Sequence, residues 1–71
     1  MNKINPKKLL NSKWTAVTPT NKEKHFMVTF IKFDEEDVVV ACTIEAVMPK
    51  RPYAMDWQDL QNDDVWLFGW Q

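Results

Sequence analysis

Two consecutive segments of this chain carry its strongest strand pattern, and each has apolar side chains on both faces. Residues 25–33 are rich in aromatic and β-branched side chains, and residues 38–47 form a second long apolar run. The four acids between them, Asp34 to Asp37, predict the solvated tip of an antiparallel hairpin. A sheet that is apolar on both faces needs cover on both sides. It must therefore curl, be overlaid by another segment, or dimerise.

The register of this hairpin decides which residues enter the core. If the four acids form the loop, Phe33 faces Val38 and Met27 faces Ile44, and Cys42 shares the face of Met27 and Ile44. The other face then mixes apolar with polar side chains: Phe26, Val28, Phe30, Val39, Lys32, Thr43 and Glu45. A slip by one residue would exchange the two faces, and the sequence permits either register.

Cover for the sheet can come only from the two ends of the chain. Four tryptophans are present in 71 residues, and three of them lie in the last fifteen: Trp57, Trp66 and Trp70. The Leu9-Leu10 pair is the other apolar supply. We therefore expect residues 57–70 to form a tryptophan-rich helical or loop lid, with Trp57 and Trp66 in the core. Trp14 and Trp70, near the ends of their segments, are expected at the surface.

Short helical segments are predicted at both ends. Asn5 followed by Pro6 has the order of an N-cap and a first helical residue, and residues 1–4 before it are expected to be frayed. Asp56 has the position of an N-cap for a second segment. Gly69 is placed where a helix ends with a positive φ.

The remaining pattern completes the predicted fold. Residues 13–18 alternate as a strand with Trp14 and Ala16 on one face, and two prolines end the second long strand before a short strand at 53–56. The sequence predicts a mainly β (small α+β) fold. It is a three- to four-stranded antiparallel sheet or small open barrel with short helical segments at both ends. Residues 1–71 are expected to form a single domain.

Cysteine usage and hydropathy bear on the compartment. Cys42 is the single cysteine, so no internal disulfide can form, and this favours a reducing environment. The first residues contain lysines but no apolar run of the kind a signal peptide needs. The longest apolar stretch, residues 38–42, is far shorter than a membrane span. The sequence thus predicts a cytoplasmic protein that does not interact with a membrane.

Charge is divided unevenly along the chain, although the formal net charge is only -1. Residues 1–33 contain seven lysines and one acid, Glu23, whereas residues 34–71 contain nine acids against Lys50 and Arg51. Such a division can mark an anion-binding half. Antiparallel neighbours can also mix the two halves in space, and the sequence alone leaves both interpretations open.

No residue pattern indicates catalysis, a metal site or a cofactor. His25 and Cys42 are the only residues of their types, and a zinc site needs about four suitably spaced ligands. The acids of the hairpin tip lack the alternating ligands and the glycine of a calcium loop. We therefore expect no catalytic residue, no metal and no cofactor, and we expect that the protein is not an enzyme.

The order of several motifs resembles a family of small tryptophan-rich bacterial proteins that has no established function. The resemblance rests on INPKKLL at 4–10, SKWTAVTP at 12–19, NKEKHF at 21–26, the 45–47 segment (EAV), the Lys50-Arg51 pair followed by Tyr53, Asp56-Trp57, Leu60, and the closing Trp66-x-x-Gly69-Trp70. It implies a bacterial source and supplies no catalytic or binding residue. In such a protein we would expect a glycine-containing turn where this chain has Asp34 to Asp37.

Two functions fit the combination of indoles and basic residues. The first is a protein-interaction or self-association module, because interfaces favour tryptophan, tyrosine and arginine as anchors. The alternative is a single-stranded nucleic-acid-binding domain, in which bases stack on aromatic rings and lysines follow the phosphates. The acidic second half and a pI near 5.7 make it the second choice. The predicted partner-binding surface comprises Trp14, Trp70, Lys13, Lys24, Lys50 and Arg51.

Overall fold

The two long apolar segments lie at the centre of one antiparallel sheet, as their composition predicts. The computed structural model describes residues 1–71 and contains five strands: β1 (Lys13–Thr20), β2 (Glu23–Phe33), β3 (Val39–Ala46), β4 (Arg51–Met55) and β5 (Trp66–Phe68). Their order across the sheet is β4-β3-β2-β1-β5. The sheet is open, and it has more strands than the three or four predicted. The additional strand is β5, which lies in the segment predicted to be a helical or loop lid.

The two connections that flank β2 use a positive-φ turn or a side chain that bonds to the backbone. Asn21 and Lys22 join β1 to β2 with φ of 52° and 60°. A two-residue turn with positive φ at both positions matches the twist of the two strands of a hairpin. Between β2 and β3, the Asp34 carboxylate accepts hydrogen bonds from the Glu36 and Val38 N–H groups at 2.8 and 3.0 Å. All four acids of this loop are exposed, which confirms the predicted hairpin tip.

The expected register of the β2–β3 hairpin is wrong. Val28 pairs with Ile44 and Ile31 with Cys42, whereas Met27 pairs with Glu45 on the opposite face of the sheet. The physical reason is two irregularities in the ladder, where Thr29 and Val40 are the extra residues. The core face of the hairpin consequently carries Phe26, Val28, Ile31, Cys42, Ile44 and Ala46. Cys42 belongs to the core, as expected.

Trp14 is buried, with 1% of its surface exposed, so its predicted surface position is wrong. It pairs with Phe26 on β2 and Phe68 on β5, so it lies inside the sheet, flanked on both sides. Its indole meets the Phe68 ring edge-on at 5.1 Å, and its N–H donates to the Ser12 hydroxyl at 2.8 Å. The fully buried apolar residues are Leu9, Trp14, Phe26, Val28, Cys42, Ile44, Ala46 and Leu60.

The two chain ends cover the core face, but the α-helical segments predicted there are absent. A 3₁₀ turn at Pro6–Lys8 is capped by Asn5, and a second at Trp57–Gln61 is capped by Asp56. Both predicted caps are therefore confirmed, although each initiates only a short turn. Leu9, directly after the first turn, and Leu60, within the second, insert into the core. Trp57 and Trp66 pack against it while half-buried. Neither turn has the length and apolar character that crossing a membrane requires.

The first four residues, which were expected to be frayed, contact other elements in the structure. The Asn2 N–H donates to the Gln61 carbonyl at 2.9 Å, and the Asn2 side-chain amide donates to the carbonyls of Leu60 and Trp66. Ile4 packs against the core. The N-terminal segment thus ties the second 3₁₀ turn to β5, because one short amide side chain reaches both.

The last three residues cross the opposite face of the sheet. Gly69 has φ of 81°, as predicted, but it follows a strand rather than a helix and redirects the chain over β1. The Thr15 hydroxyl there donates to the Gly69 carbonyl and accepts from the Gln71 N–H. The Trp70 indole N–H donates to the Phe26 carbonyl at 2.9 Å. Each face of the sheet is therefore overlaid in part by the ends of the chain. This is one of the ways in which a sheet with apolar side chains on both faces can be covered.

Candidate functional site

The structure does not bring the predicted partner-binding residues together. Trp14 is buried, whereas Lys13, Lys24, Lys50, Arg51 and Trp70 are exposed. The Lys13 ammonium lies 5.0 Å from the centre of the Trp70 ring. Arg51 lies on β4, three strands from Lys13, a separation of about 14 Å at the usual spacing between strands. Among these residues, Lys13 and Trp70 are distant in the sequence and are brought into contact by the fold.

The arrangement also separates the components of a nucleic-acid surface. Alternation along β1 places Lys13 and Trp14 on opposite faces, and Phe26 belongs to the core beside Trp14. The exposed indole, Trp70, has a lysine of the same chain over its ring. A base that stacked there would have to displace this lysine. The basic side chains and the buried rings therefore form no common platform.

A groove on the core face has a volume of about 590 Å³. It lies between the β1–β2 turn, the edge strand β4 and the loop before β5. Its lining combines apolar side chains with uncharged polar and acidic ones, and no lysine or arginine is among them: Ala16, Thr18, Thr20, Asn21, Glu23, Phe26, Ile44, Tyr53, Met55, Asp59, Asn62, Asp64, Val65 and Trp66.

Three aromatic rings form a continuous row across the floor of the groove. The Phe26 and Trp66 rings meet edge-to-face with centres 5.1 Å apart, and the centres of the Phe26 and Tyr53 rings are 6.3 Å apart. Trp66 lies two strands away from Phe26 and reaches it because its partner on β1 is Ala16, whose methyl group leaves room. We call Tyr53, Phe26 and Trp66 the aromatic row.

An irregularity in β1 opens the groove at one end. The pairing of β1 with β2 shifts between Thr15 and Thr20, so this part of β1 leaves the regular ladder. Val17 bonds instead to the loop before β5, its N–H donating to the Val65 carbonyl at 2.9 Å. The same loop is fixed by Asn62, whose side chain accepts from the Asp64 N–H at 3.0 Å. This arrangement holds Asp64 and Val65 at the rim.

Glu23 is a buried carboxylate at the end of the aromatic row. It is 6% exposed, and both of its oxygens accept from the Tyr53 hydroxyl, at 2.7 and 3.0 Å. No lysine or arginine nitrogen lies within salt-bridge distance, since the single ion pair of the molecule joins the Met1 amino group and Asp63. A neutral hydroxyl is thus the side-chain partner of a largely desolvated negative charge.

The groove holds further negative charge at its rim. Asp59 and Asp64 line it and are exposed to solvent. These acids and Glu23 do not gather into a group that could ligate a metal ion. The groove therefore offers a dispersed negative potential over an aromatic floor, the kind of surface on which an organic cation is stabilised.

Cys42 is separated from His25 by the sheet itself. Cys42 lies on the core face at 3% exposure, whereas His25 pairs with Thr15 on the opposite face. Burial, together with the nearby Asp56 carboxylate, raises the pKa of the Cys42 thiol and so favours its neutral form. The thiol is therefore placed as a small core side chain and faces no base.

Sequence reasoning missed the groove because its residues come from four separate segments. One signal was present: Glu23 is the single acid among residues 1–33, in which it stands between two lysines. A lone carboxylate in a basic segment is a candidate for a specific contact. Its actual partner, Tyr53, is 30 residues away, so no local pattern could have connected the two.

The sheet, its tryptophan-rich cover and the acidic groove define a small open antiparallel β domain with lids from both chain ends. The chain belongs to a family described as tryptophan-rich protein (DUF2389), whose model matches residues 12–71, and the resemblance seen in the sequence is thereby confirmed. This family is of unknown function. The matched range includes all five strands and the groove. No curated protein and no solved structure matches the chain.

Proposed function

We propose that this protein is a non-enzymatic binding module of the cytoplasm, and that its groove holds a segment of a partner protein. The observation that carries the proposal is the groove itself. A volume of about 590 Å³ over a partly apolar floor with a few fixed polar groups is typical of a binding site. Its aromatic row supplies two residue types, tryptophan and tyrosine, that anchor protein interfaces.

The position of β4 favours a chain segment as the occupant. β4 is an edge strand of the sheet, and two of its residues, Tyr53 and Met55, line one wall of the groove. An edge strand has unpaired backbone groups that an extended segment can use. A partner that lies along β4 could bond to this edge and place alternate side chains on the aromatic row.

The test is photo-crosslinking from one position at the groove and one control position. A photoreactive amino acid replaces Val65, which is 47% exposed at the rim, or Phe30, which is 49% exposed. Phe30 pairs with Thr43, which points away from the core face, so it is a control of matched exposure on the other face. We expect irradiation in cells of the source organism to link the Val65 position to a distinct protein, and the Phe30 position to give much less of it.

A filled groove provides the second control. In an Ala16→Leu variant of the Val65 crosslinker, the larger side chain occupies the space through which Trp66 reaches Phe26. We expect its crosslinked product to be lost, provided that circular dichroism shows a folded sheet. Equal products at the two positions, or none at Val65, would contradict the proposal. A product that joins two copies of this chain would replace it with self-association.

A further inference from the structure

We propose that the groove recognises a lysine or arginine side chain of an extended partner segment, with Glu23 as the opposite charge. This inference rests on the function proposed above and specifies the chemistry of the partner. It would also explain a buried carboxylate that no cation of its own chain neutralises.

The charge of the groove is unbalanced. Removing a carboxylate from water is costly unless it is paired, and Glu23 at 6% exposure has only the Tyr53 hydroxyl as its side-chain partner. An ionised carboxylate can accept about four hydrogen bonds, so acceptor capacity remains for an ammonium or guanidinium group. Asp59 and Asp64 at the rim add charge of the same sign.

The floor beneath that charge suits the side chain of a lysine or arginine. The stem of a lysine or arginine is apolar, and its charged end is stabilised over the face of an aromatic ring. The aromatic row leads from Trp66 at one side of the groove, past Phe26, to Tyr53, which holds Glu23. A side chain that lies along the row would bury its stem on the rings and bring its charge to the carboxylate.

The groove is unsuited to the other occupants that its charges could suggest. The acids do not converge closely enough to hold a metal ion. Anionic partners such as a phosphate backbone would be repelled, since no basic side chain lines the groove. A basic protein segment supplies both the charge and the apolar stem.

The experiment measures binding of capped pentapeptides to the full chain by the shifts of its amide and indole resonances in ¹⁵N spectra. The probe is Ala-Leu-Lys-Leu-Ala, and the comparison peptides replace lysine with arginine, norleucine or glutamate. We expect the lysine and arginine peptides to shift resonances of groove residues. The norleucine peptide should bind at least about tenfold more weakly, because it keeps the stem but lacks the charge. Added salt should weaken only the charged peptides.

Matched variants then locate the charge. Glu23→Gln keeps the shape and a hydrogen-bond acceptor for Tyr53, and it should weaken the lysine peptide about tenfold. Glu45→Gln makes the same change on the opposite face, where Glu45 pairs with Met27, and should leave affinity unchanged. If Glu23→Gln does not fold, a variant with Asp59→Asn and Asp64→Asn, both exposed, is tested in its place. We expect its affinity for the lysine peptide to fall about two- to fourfold.

Four outcomes would overturn the inference. Equal affinity for the norleucine and lysine peptides would exclude recognition of the charge. Butylammonium bound as tightly as the lysine peptide would show a site for a free amine rather than for a protein segment. Equal losses for Glu23→Gln and Glu45→Gln would show non-specific attraction. A protein crosslinked at Val65 that contains no basic segment would leave the interaction module standing and overturn only this inference.

Discussion

Replacing Trp14 with alanine should remove much of the stability of this domain. Truncation of a fully buried aromatic residue costs about 3–5 kcal/mol, and Trp14 is 1% exposed. That cost includes the edge contact with Phe68, about 0.5–1.5 kcal/mol. The lost hydrogen bond to Ser12 adds little, since Ser12 is half-buried and its hydroxyl can meet water.

The expected loss is large compared with the whole free energy of unfolding. At roughly 0.05–0.15 kcal/mol per residue, a chain of this length is stable by about 4–10 kcal/mol. In urea, where a small domain has a slope of about 1 kcal/mol per molar, Trp14→Ala should lower the unfolding midpoint by about 3 M or more. Far-UV circular dichroism is the suitable probe, because the other three tryptophans would complicate fluorescence.

Trp70→Ala is the matched control, because it removes the same side chain from an exposed position. Trp70 is 44% exposed, and its loss removes the hydrogen bond to the Phe26 carbonyl and the contact with Lys13, about 1–2 kcal/mol together. Trp14→Phe should fall between the two. Similar unfolding midpoints for Trp14→Ala and Trp70→Ala would refute the assignment of Trp14 as the central core residue. A loss of stability larger for Trp57→Ala than for Trp14→Ala would also refute it.

Two further substitutions test the turn and the buried thiol. Lys22→Gly should stabilise the protein by about 0.5–1 kcal/mol, seen as a melting temperature a few degrees higher, because Lys22 has φ of 60° and Asn-Gly is the favoured pair for such a turn. Burial raises the pKa of the Cys42 thiol above its ordinary 9.0. The neutral thiol therefore contributes to folding stability below that pH, and this contribution is lost as pH rises through the folded-state pKa. Cys42→Ala should therefore show a smaller loss of stability between neutral and alkaline pH than wild type, and equal losses would contradict this explanation.

Local chemistry was the part of the fold that could be predicted from the sequence. The caps at Asn5 and Asp56, the hairpin tip and the positive φ of Gly69 depend on a few adjacent residues, and each was found where expected. The alternation that put Trp14 and Ala16 on one face is similarly local. These predictions succeed because a short side chain bonds to its own backbone or because strand geometry has a period of two.

The failures share a different physical origin. The register depended on single extra residues at Thr29 and Val40, which no composition rule specifies and which exchange the faces of Met27 and Phe26. Residues 66–68 were expected to belong to a helical or loop lid but form β5, because Trp14 and Ala16 on β1 offer them a strand to pair with. The groove was missed for the same reason, since Glu23 and Tyr53 meet only after the whole sheet has assembled.

The aromatic row has two roles that a single alanine substitution cannot separate. Trp66 stabilises the fold by its edge contact with Phe26, and it also lines the groove, so Trp66→Ala should lower stability and binding together. A change of charge does not have this problem. Glu23→Gln leaves all three rings in place and alters only the group toward which they lead. A loss of peptide affinity with the rings intact would therefore assign recognition to the carboxylate. A loss of affinity seen only when a ring is removed would instead show that the groove residues serve the packing of the core.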